Sequence, residues 1–266
     1  MGMTTKINDV VAFLDATFHP EYQEGYDNAG FLLGERGSAY RGTLVALDLT
    51  PQVVDEAVEH RLSLIVTHHP FIFSGIKRIT DSSETGRMVL KLIKNDIAVY
   101  AAHTNLDNLP WGVNGILAEK LGLQNCTILK PQAVTSEAIG AGMVGEFPSP
   151  MPADEFLRTV KHITGQPSIR TSLHDPLRLV RRIALCGGSG SEFIPDAIAA
   201  HADIYITADL KYHDFQRAEG RIILADAGHY ETEQFAKDII FRHISEKFCN
   251  FACRISSCQG SLVYYI

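Results

Sequence analysis

Histidines and carboxylates recur at the ends of apolar segments in this chain. His68 and His69 directly follow the apolar run that ends at Thr67. Neutral imidazole is a common ligand for zinc, iron, nickel and copper, and adjacent histidines at a strand end can diverge to face two neighbouring ions. The alternative is a polar strand exit that Pro70 terminates. The pair alone leaves both interpretations open.

His229 and Glu233 stand four residues apart in a second such segment. If a helix begins near Gly228, positions i and i+4 share one face, so a nitrogen and a carboxylate can bind the same ion. Glu231 would point away from that face and be solvated. A surface capping role is the alternative for this pair.

His103 and Asp107 have the same spacing, although Pro110 limits any helix there. The two oxygens of Asp107 can bridge two cations, which suits metal pairs roughly 3.5 to 4 Å apart. His103 is either a ligand or a group outside the coordination shell that orients one, and we favour the second role.

Three further motifs are less specific. His213 and Asp214 can line a cleft as substrate or proton-transfer groups, or form a hydrogen-bonded pair at a strand–helix junction. The sequence CGGSGSEF at 186–193 could offer backbone N–H groups to a phosphate, but a tight strand–helix turn is the simpler interpretation. The sequence YDNAGF at 26–31 predicts a turn in which Gly30 tolerates a left-handed conformation.

The elements that position these residues follow one order twice. Residues 43–71 and 182–215 each read as an apolar strand, a polar turn, an amphipathic helix and a strand that ends in threonine. Each half then has a later strand that ends in histidine, with an acid four residues beyond. Such βαβ units predict parallel sheets, with ligands gathered beyond the carboxyl ends of the strands. We therefore expect an α/β fold of two similar βαβ-based lobes forming an internal pseudo-repeat.

We expect the first lobe to span residues 1–123 and the second to span 124–266, with the C-terminal segment packing back on the first. The 266 residues carry a formal net charge of −7 and no basic block, which argues against binding to nucleic acid. No apolar run has the roughly 18 to 20 residues of a membrane helix, and the amino terminus lacks a signal-peptide pattern. These features predict a cytoplasmic protein without a membrane partner.

Six segments spread over the whole chain resemble the Ngg-interacting-factor-three-like family, also labelled GTP cyclohydrolase I type 2 homologs or dinuclear metal centre proteins. The segments are YDNAGFLLGE, ALDLTPQVVDEA, IVTHHPFIF, AAHTNLDN, TADLKYHD and DAGHYETE. Together they form a highly specific pattern.

The resemblance implies a two-lobed fold with a metal-binding cleft between the lobes, and a toroidal homohexamer. It implies two divalent metal ions per chain, held by His68, His69, Asp107, His229 and Glu233. Mixed nitrogen and oxygen ligands suit iron, zinc, manganese or nickel.

The first functional hypothesis is a metal-dependent hydrolase of the GTP cyclohydrolase I type 2 class. It would open the imidazole ring of GTP, or act on another small molecule or nucleotide, and His103 or His213 would shuttle protons. The alternative is a non-catalytic iron carrier or chaperone that binds metal reversibly. A ring-shaped scaffold is a third possibility, but it leaves the ligand set without a purpose.

Overall fold

A computed structural model describes residues 4–132, 138–258, 260–264 and 266, and in them the chain forms a mixed α/β fold with two β-sheets. The α/β class predicted from the sequence is confirmed. Among the described residues, no helix combines the length and the apolar character needed to cross a bilayer.

The strands of the described residues are β1 (Gly30–Leu33), β2 (Thr43–Ala46), β3 (Leu64–Thr67), β4 (Ala98–Ala101), β5 (Gln124–Pro131), β6 (Gly140–Pro152), β7 (Arg170–Thr171), β8 (Leu179–Ser189), β9 (Ile204–Ala208), β10 (Ile223–Asp226) and β11 (Cys253–Ile255). The α-helices are α1 (Ile7–Phe18), α2 (Pro51–Glu59), α3 (Glu84–Lys94), α4 (Thr104–Asp107), α5 (Val113–Lys120), α6 (Ala153–Thr164), α7 (Ile194–Ala199), α8 (Tyr212–Gln216), α9 (His229–Glu233) and α10 (Ala236–Lys247).

The contacts between Cα atoms divide the chain into two compact units. The first unit comprises Met1–Leu106 and Ala236–Gly260, and the second comprises Asp107–Phe235 and Ser261–Ile266. This division differs from the expected boundary after Leu123. The second unit begins earlier because α5 packs against β5, β6 and β8.

The sheet of the first unit has the strand order β1-β4-β3-β2-β11. Strands β2, β3 and β4 are parallel and alternate along the chain with α2 and α3, whereas β1 pairs antiparallel with β4. All residues of these three parallel strands are buried, as expected for strands covered on both faces. Helix α2 begins where the Thr50 side chain accepts a hydrogen bond from the Val53 N–H. Near the end of the chain, β11 joins β2 in parallel.

The sheet of the second unit has the order β5-β6-β8-β9-β10-β7. Strands β8, β9 and β10 are parallel and alternate along the chain with α7 and α8. Strands β5, β6 and β8 form an antiparallel run, and β7 closes the other edge antiparallel to β10. Helix α6 covers part of this sheet with Phe156, Leu157 and Val160. Each unit therefore brings the carboxyl ends of three parallel strands to one edge.

Candidate metal centre

Three histidines of the first unit meet where β3 and β4 end. The strands pair in parallel with Thr67 opposite Ala101, so the residues that follow them lie at the same sheet edge. The ring centroids of His68, His69 and His103 are 5.0 to 5.4 Å apart. Each ring offers a nitrogen that lies within 4.8 Å of those of the other two, a spacing compatible with a shared metal ion.

Hydrogen bonds orient the two adjacent histidines. The Nδ1 of His68, a fully buried residue, lies 2.7 Å from the carbonyl oxygen of Ala102. The Nδ1 of His69 lies 2.7 Å from Oδ1 of Asp48. Carbonyl and carboxylate oxygens only accept, so each Nδ1 carries a hydrogen, and in its neutral form each ring has its lone pair on Nε2. This is how metal-binding histidines are fixed in proteins.

His103 is oriented in the same way by the carboxylate of Asp27, which ends a turn at 24–27 ahead of β1. Its Nδ1 lies 2.8 Å from Oδ1 of Asp27, which also accepts the Asn28 N–H at 2.7 Å. The other oxygen of Asp27 accepts hydrogen bonds from the N–H and the hydroxyl of Thr104. Burial raises the pKa of Asp27, but the hydrogen bonds of His103 and Thr104 outweigh it and lower the pKa to about 2. The carboxylate is therefore ionised and aims His103 towards the other two rings.

The second unit carries a histidine and a glutamate of its own, His229 and Glu233. Helix α9 begins at His229, one residue after Gly228, and the Nε2 of His229 lies 2.9 Å from Oε2 of the buried Glu233. The predicted helix start and the shared face of this i,i+4 pair are confirmed. On the other side of the ring, Nδ1 lies 2.6 Å from Oδ2 of Asp209, which follows β9.

These two carboxylates make the surroundings of His229 suitable for a cation. Burial lowers the pKa of His229, but the hydrogen bonds and negative charges of Asp209 and Glu233 raise it to about 11. The carboxylates thus stabilise positive charge at this ring. A divalent ion bound by Nε2 and the Glu233 carboxylate would supply positive charge at the same place.

The end of β8 makes room for Glu233. A Cβ atom on Gly188 would lie 1.9 Å from Oε1 of Glu233, so this position accepts no side chain without displacing the carboxylate. The N–H groups of Gly187 and Gly188 donate to Asn114 Oδ1 and Thr232 Oγ1, at 2.8 and 2.9 Å. The protein itself uses these two donors, and the segment 186–193 consists of the end of β8, Gly190 and the short 3₁₀ helix Ser191–Phe193.

Asp107 is the last residue of α4 and belongs to the second unit. Burial raises the pKa of the Cys186 thiol, and the charges of Asp107 and Glu233 raise it further. The charges of both carboxylates therefore reach one buried thiol.

The expectation that Glu231 is solvated is wrong: this residue is buried, and its Oε2 would lie 2.3 Å from a Cβ on Gly228. Glu231 folds back over the start of α9 instead of facing solvent.

His213 and Asp214 lie on the short helix α8 and bind different partners. His213 is exposed, with Nδ1 3.3 Å from Oε1 of Gln216. Asp214 accepts the Lys211 N–H at 2.8 Å and so caps the helix. The two side chains therefore do not form the hydrogen-bonded pair that the sequence left open.

Asp27, Asp48, Asp209 and Gly188 were not identified as functional residues from the sequence. The first three are separated from their histidine partners by 76, 21 and 20 positions. All three lie in segments that carry the family resemblance, YDNAGFLLGE, ALDLTPQVVDEA and TADLKYHD, but no local spacing linked them to a histidine. Together, the two units contain buried histidine and glutamate groups able to hold metal ions.

Comparison with known proteins identifies a family. Residues 5–260 match the model of the Duf34/NIF3 (NGG1p interacting factor 3) family. A Clostridium perfringens protein named "GTP cyclohydrolase 1 type 2 homolog" is 36% identical over 231 residues, covering 86% of this chain and 87% of the relative. The fission yeast Schizosaccharomyces pombe has a "Protein NIF3 homolog" that is 31% identical over 259 residues, covering 93% and 91%.

Solved structures share the fold. A Bacillus cereus protein related to NIF3 superposes with a TM-score of 0.92 at 23% identity, covering 100% of both chains. A Staphylococcus aureus protein superposes with a TM-score of 0.88 at 28% identity, covering 98% of this chain and 99% of the other.

Proposed function

The chain belongs to the Duf34/NIF3 family, and we propose that it holds two divalent metal ions through His68, His69, Asp107, His229 and Glu233. The observation that carries this proposal is the close spacing of the histidine and carboxylate groups, together with the hydrogen bonds at Nδ1 of His68 and His69 that assign Nε2 as the ligand atom of these two rings. The mixed imidazole and carboxylate donors suit iron, zinc, manganese or nickel.

We propose that this centre serves a hydrolase of the GTP cyclohydrolase I type 2 class. When bound, a metal pair supplies a water of lowered pKa and polarises a substrate oxygen. His103, fixed by the ionised Asp27, is the group that accepts or returns a proton at Nε2. His213 is exposed and is proposed as a second proton-transfer group at the substrate. Relatives named "GTP cyclohydrolase 1 type 2 homolog" make GTP the first substrate to examine.

The hydrolase proposal is tested by GTP turnover and formate release on metal-loaded protein. Wild-type protein should turn over GTP, and His103→Ala should lower kcat about 100- to 10,000-fold with unchanged metal content, as for loss of a general acid–base group. His162→Ala, at an exposed position of α6, is the matched control. Two metals per chain without turnover of any nucleotide would contradict the hydrolase and favour the iron carrier.

The hydrogen bond from His69 to Asp48 should strengthen metal binding. We expect Asp48→Ala to weaken metal affinity about 10- to 100-fold, because orienting carboxylates of this kind typically contribute that much. Asp48→Asn should retain part of the affinity, since the amide oxygen can still accept from Nδ1. Competition with a chromophoric chelator measures both variants. Equal affinities for Asp48→Ala and wild type would rule out this role for Asp48.

The larger assembly is also part of the proposal. The order β–α–β–α–β with three parallel strands in each unit supports an internal pseudo-repeat. The toroidal homohexamer and the cytoplasmic location rest on the resemblance and the composition of the sequence. Size-exclusion chromatography with light scattering would test the hexamer.

A further inference from the structure

Two exposed aromatic side chains lie beside His103 in the first unit. Tyr26 is 62% exposed and Phe73 is 52% exposed. Their ring centroids are 6.3 Å apart with the planes tilted by 44°, and the Phe73 centroid lies 6.4 Å from that of His103. A single exposed aromatic residue is unremarkable on a protein surface. A pair of them next to a histidine cluster indicates a contact surface for a ligand.

The turn at 24–27 and the adjacent Asn28 anchor the backbone next to both rings. Asp27 binds His103 and Thr104, and the adjacent Asn28 donates from Nδ2 to the carbonyl oxygen of Ile72 at 2.6 Å. One turn is therefore bonded both to the segment that carries His103 and to the loop that carries Phe73. Tyr26 precedes these two anchors directly. The hydrogen bonds thus couple the aromatic pair to the orientation of His103.

The chemistry of this pair suits a flat ring. Aromatic faces stack on planar heteroaromatic groups with little dependence on the substituents, and preorganised rings lose little entropy on binding. Purely anionic ligands gain no comparable contact, because the face of an aromatic ring is itself negative. A ring stacked here would bring its edge close to the proton-transfer group at His103.

We propose that Tyr26 and Phe73 form a stacking platform for a planar heteroaromatic ring of the substrate, next to His103. This inference rests on the proposed function, because it assigns a substrate class to the same site. It also separates two parts of the chain: metal binding belongs to the histidines and carboxylates, and ring recognition belongs to the turn at 24–27 and the loop that carries Phe73.

The platform is tested by calorimetric titration of metal-loaded protein with GTP, guanosine, adenosine, a pterin and inorganic tripolyphosphate. Wild-type protein should bind at least one of the planar probes. The double variant Tyr26→Ala with Phe73→Ala should bind that probe about 10- to 100-fold more weakly, as for loss of a stacked base. Its metal content and any tripolyphosphate affinity should not change. The variant Tyr26→Phe with Phe73→Tyr keeps both aromatic rings and should bind the planar probe like the wild type. The control is Tyr264→Ala, which removes an exposed aromatic ring near the carboxyl end and should leave ring binding unchanged.

Three results would overturn the platform. Wild-type protein that is loaded with metal but binds none of the planar probes has no such ring site. Unchanged ring affinity in the double alanine variant excludes Tyr26 and Phe73 as the site. A changed oligomeric state with unchanged ring affinity would mean that a second copy of the chain covers the pair. In each case the metal content of the same sample separately reports on the proposed metal centre.

Discussion

Replacing His68 and Glu233 together by alanine is expected to remove most of the bound metal while the chain stays folded. His68 is fully buried and Glu233 is 4% exposed, so no mobile side chain from the surface can take over as a metal ligand in the variant. Loss of a group that merely orients a ligand typically costs about 10- to 100-fold in affinity, so loss of two ligands should exceed that range. Metal analysis after dialysis, with circular dichroism on the same sample, measures both expectations.

The matched control replaces a histidine and a glutamate outside the proposed metal centre. His162 and Glu155 are exposed on α6, and their joint replacement by alanine should leave the metal content unchanged. If the His68→Ala and Glu233→Ala variant misfolds, His68→Gln with Glu233→Gln keeps similar side-chain volumes and should still lose metal. Full metal occupancy in a folded double variant would refute the assignment of these ligands.

Gly188→Ala is expected to weaken metal binding at least about 10-fold without altering any ligand. Its Cβ would lie 1.9 Å from Oε1 of Glu233 and 3.2 Å from Nε2 of His229, so the carboxylate must move. Gly188 also has φ +62°, a left-handed conformation that costs other residues roughly 1–2 kcal/mol. The variant should therefore lose both thermal stability and metal affinity.

Gly165→Ala separates these two effects. Gly165 has φ +74° after α6, but a Cβ there would meet no atom within 4 Å. We expect this control to lose about 1–2 kcal/mol of stability from backbone strain and to bind metal normally. Chelator competition and thermal melts compare the two variants. If Gly188→Ala binds metal as tightly as Gly165→Ala, the steric role of Gly188 is wrong.

The strand ends and the local pairs were predictable from the sequence. The parallel strands β3 and β9 are short apolar runs whose ends carry polar residues, and helical spacing links His229 with Glu233 without any knowledge of the rest of the chain. Parallel pairing then brings His68, His69 and His103 to one sheet edge. These predictions succeed because each depends on residues that are close in sequence or on the rule that parallel strands end at the same edge.

The supporting contacts were not predictable, because they join distant parts of the chain. Asp27 meets His103 only through the turn at 24–27, and Gly188 meets Glu233 only because β8 ends beside α9. The expected boundary after Leu123 differs from the start of the second compact unit for a related reason, because helix α5 precedes the second sheet in sequence but packs on it. Strand β11 follows the second sheet and pairs with β2 of the first unit, where the C-terminal segment was expected to pack. Burial of Glu231 likewise depends on this tertiary packing rather than on helical spacing.

The central claim is tested most directly by the metal content of protein purified anaerobically without chelators. The account predicts about two divalent ions per chain in the wild type and fewer than one in the variant that lacks His68 and Glu233. Fewer than one ion per chain in the wild type, even after incubation with iron, zinc, manganese or nickel, would contradict the dinuclear centre.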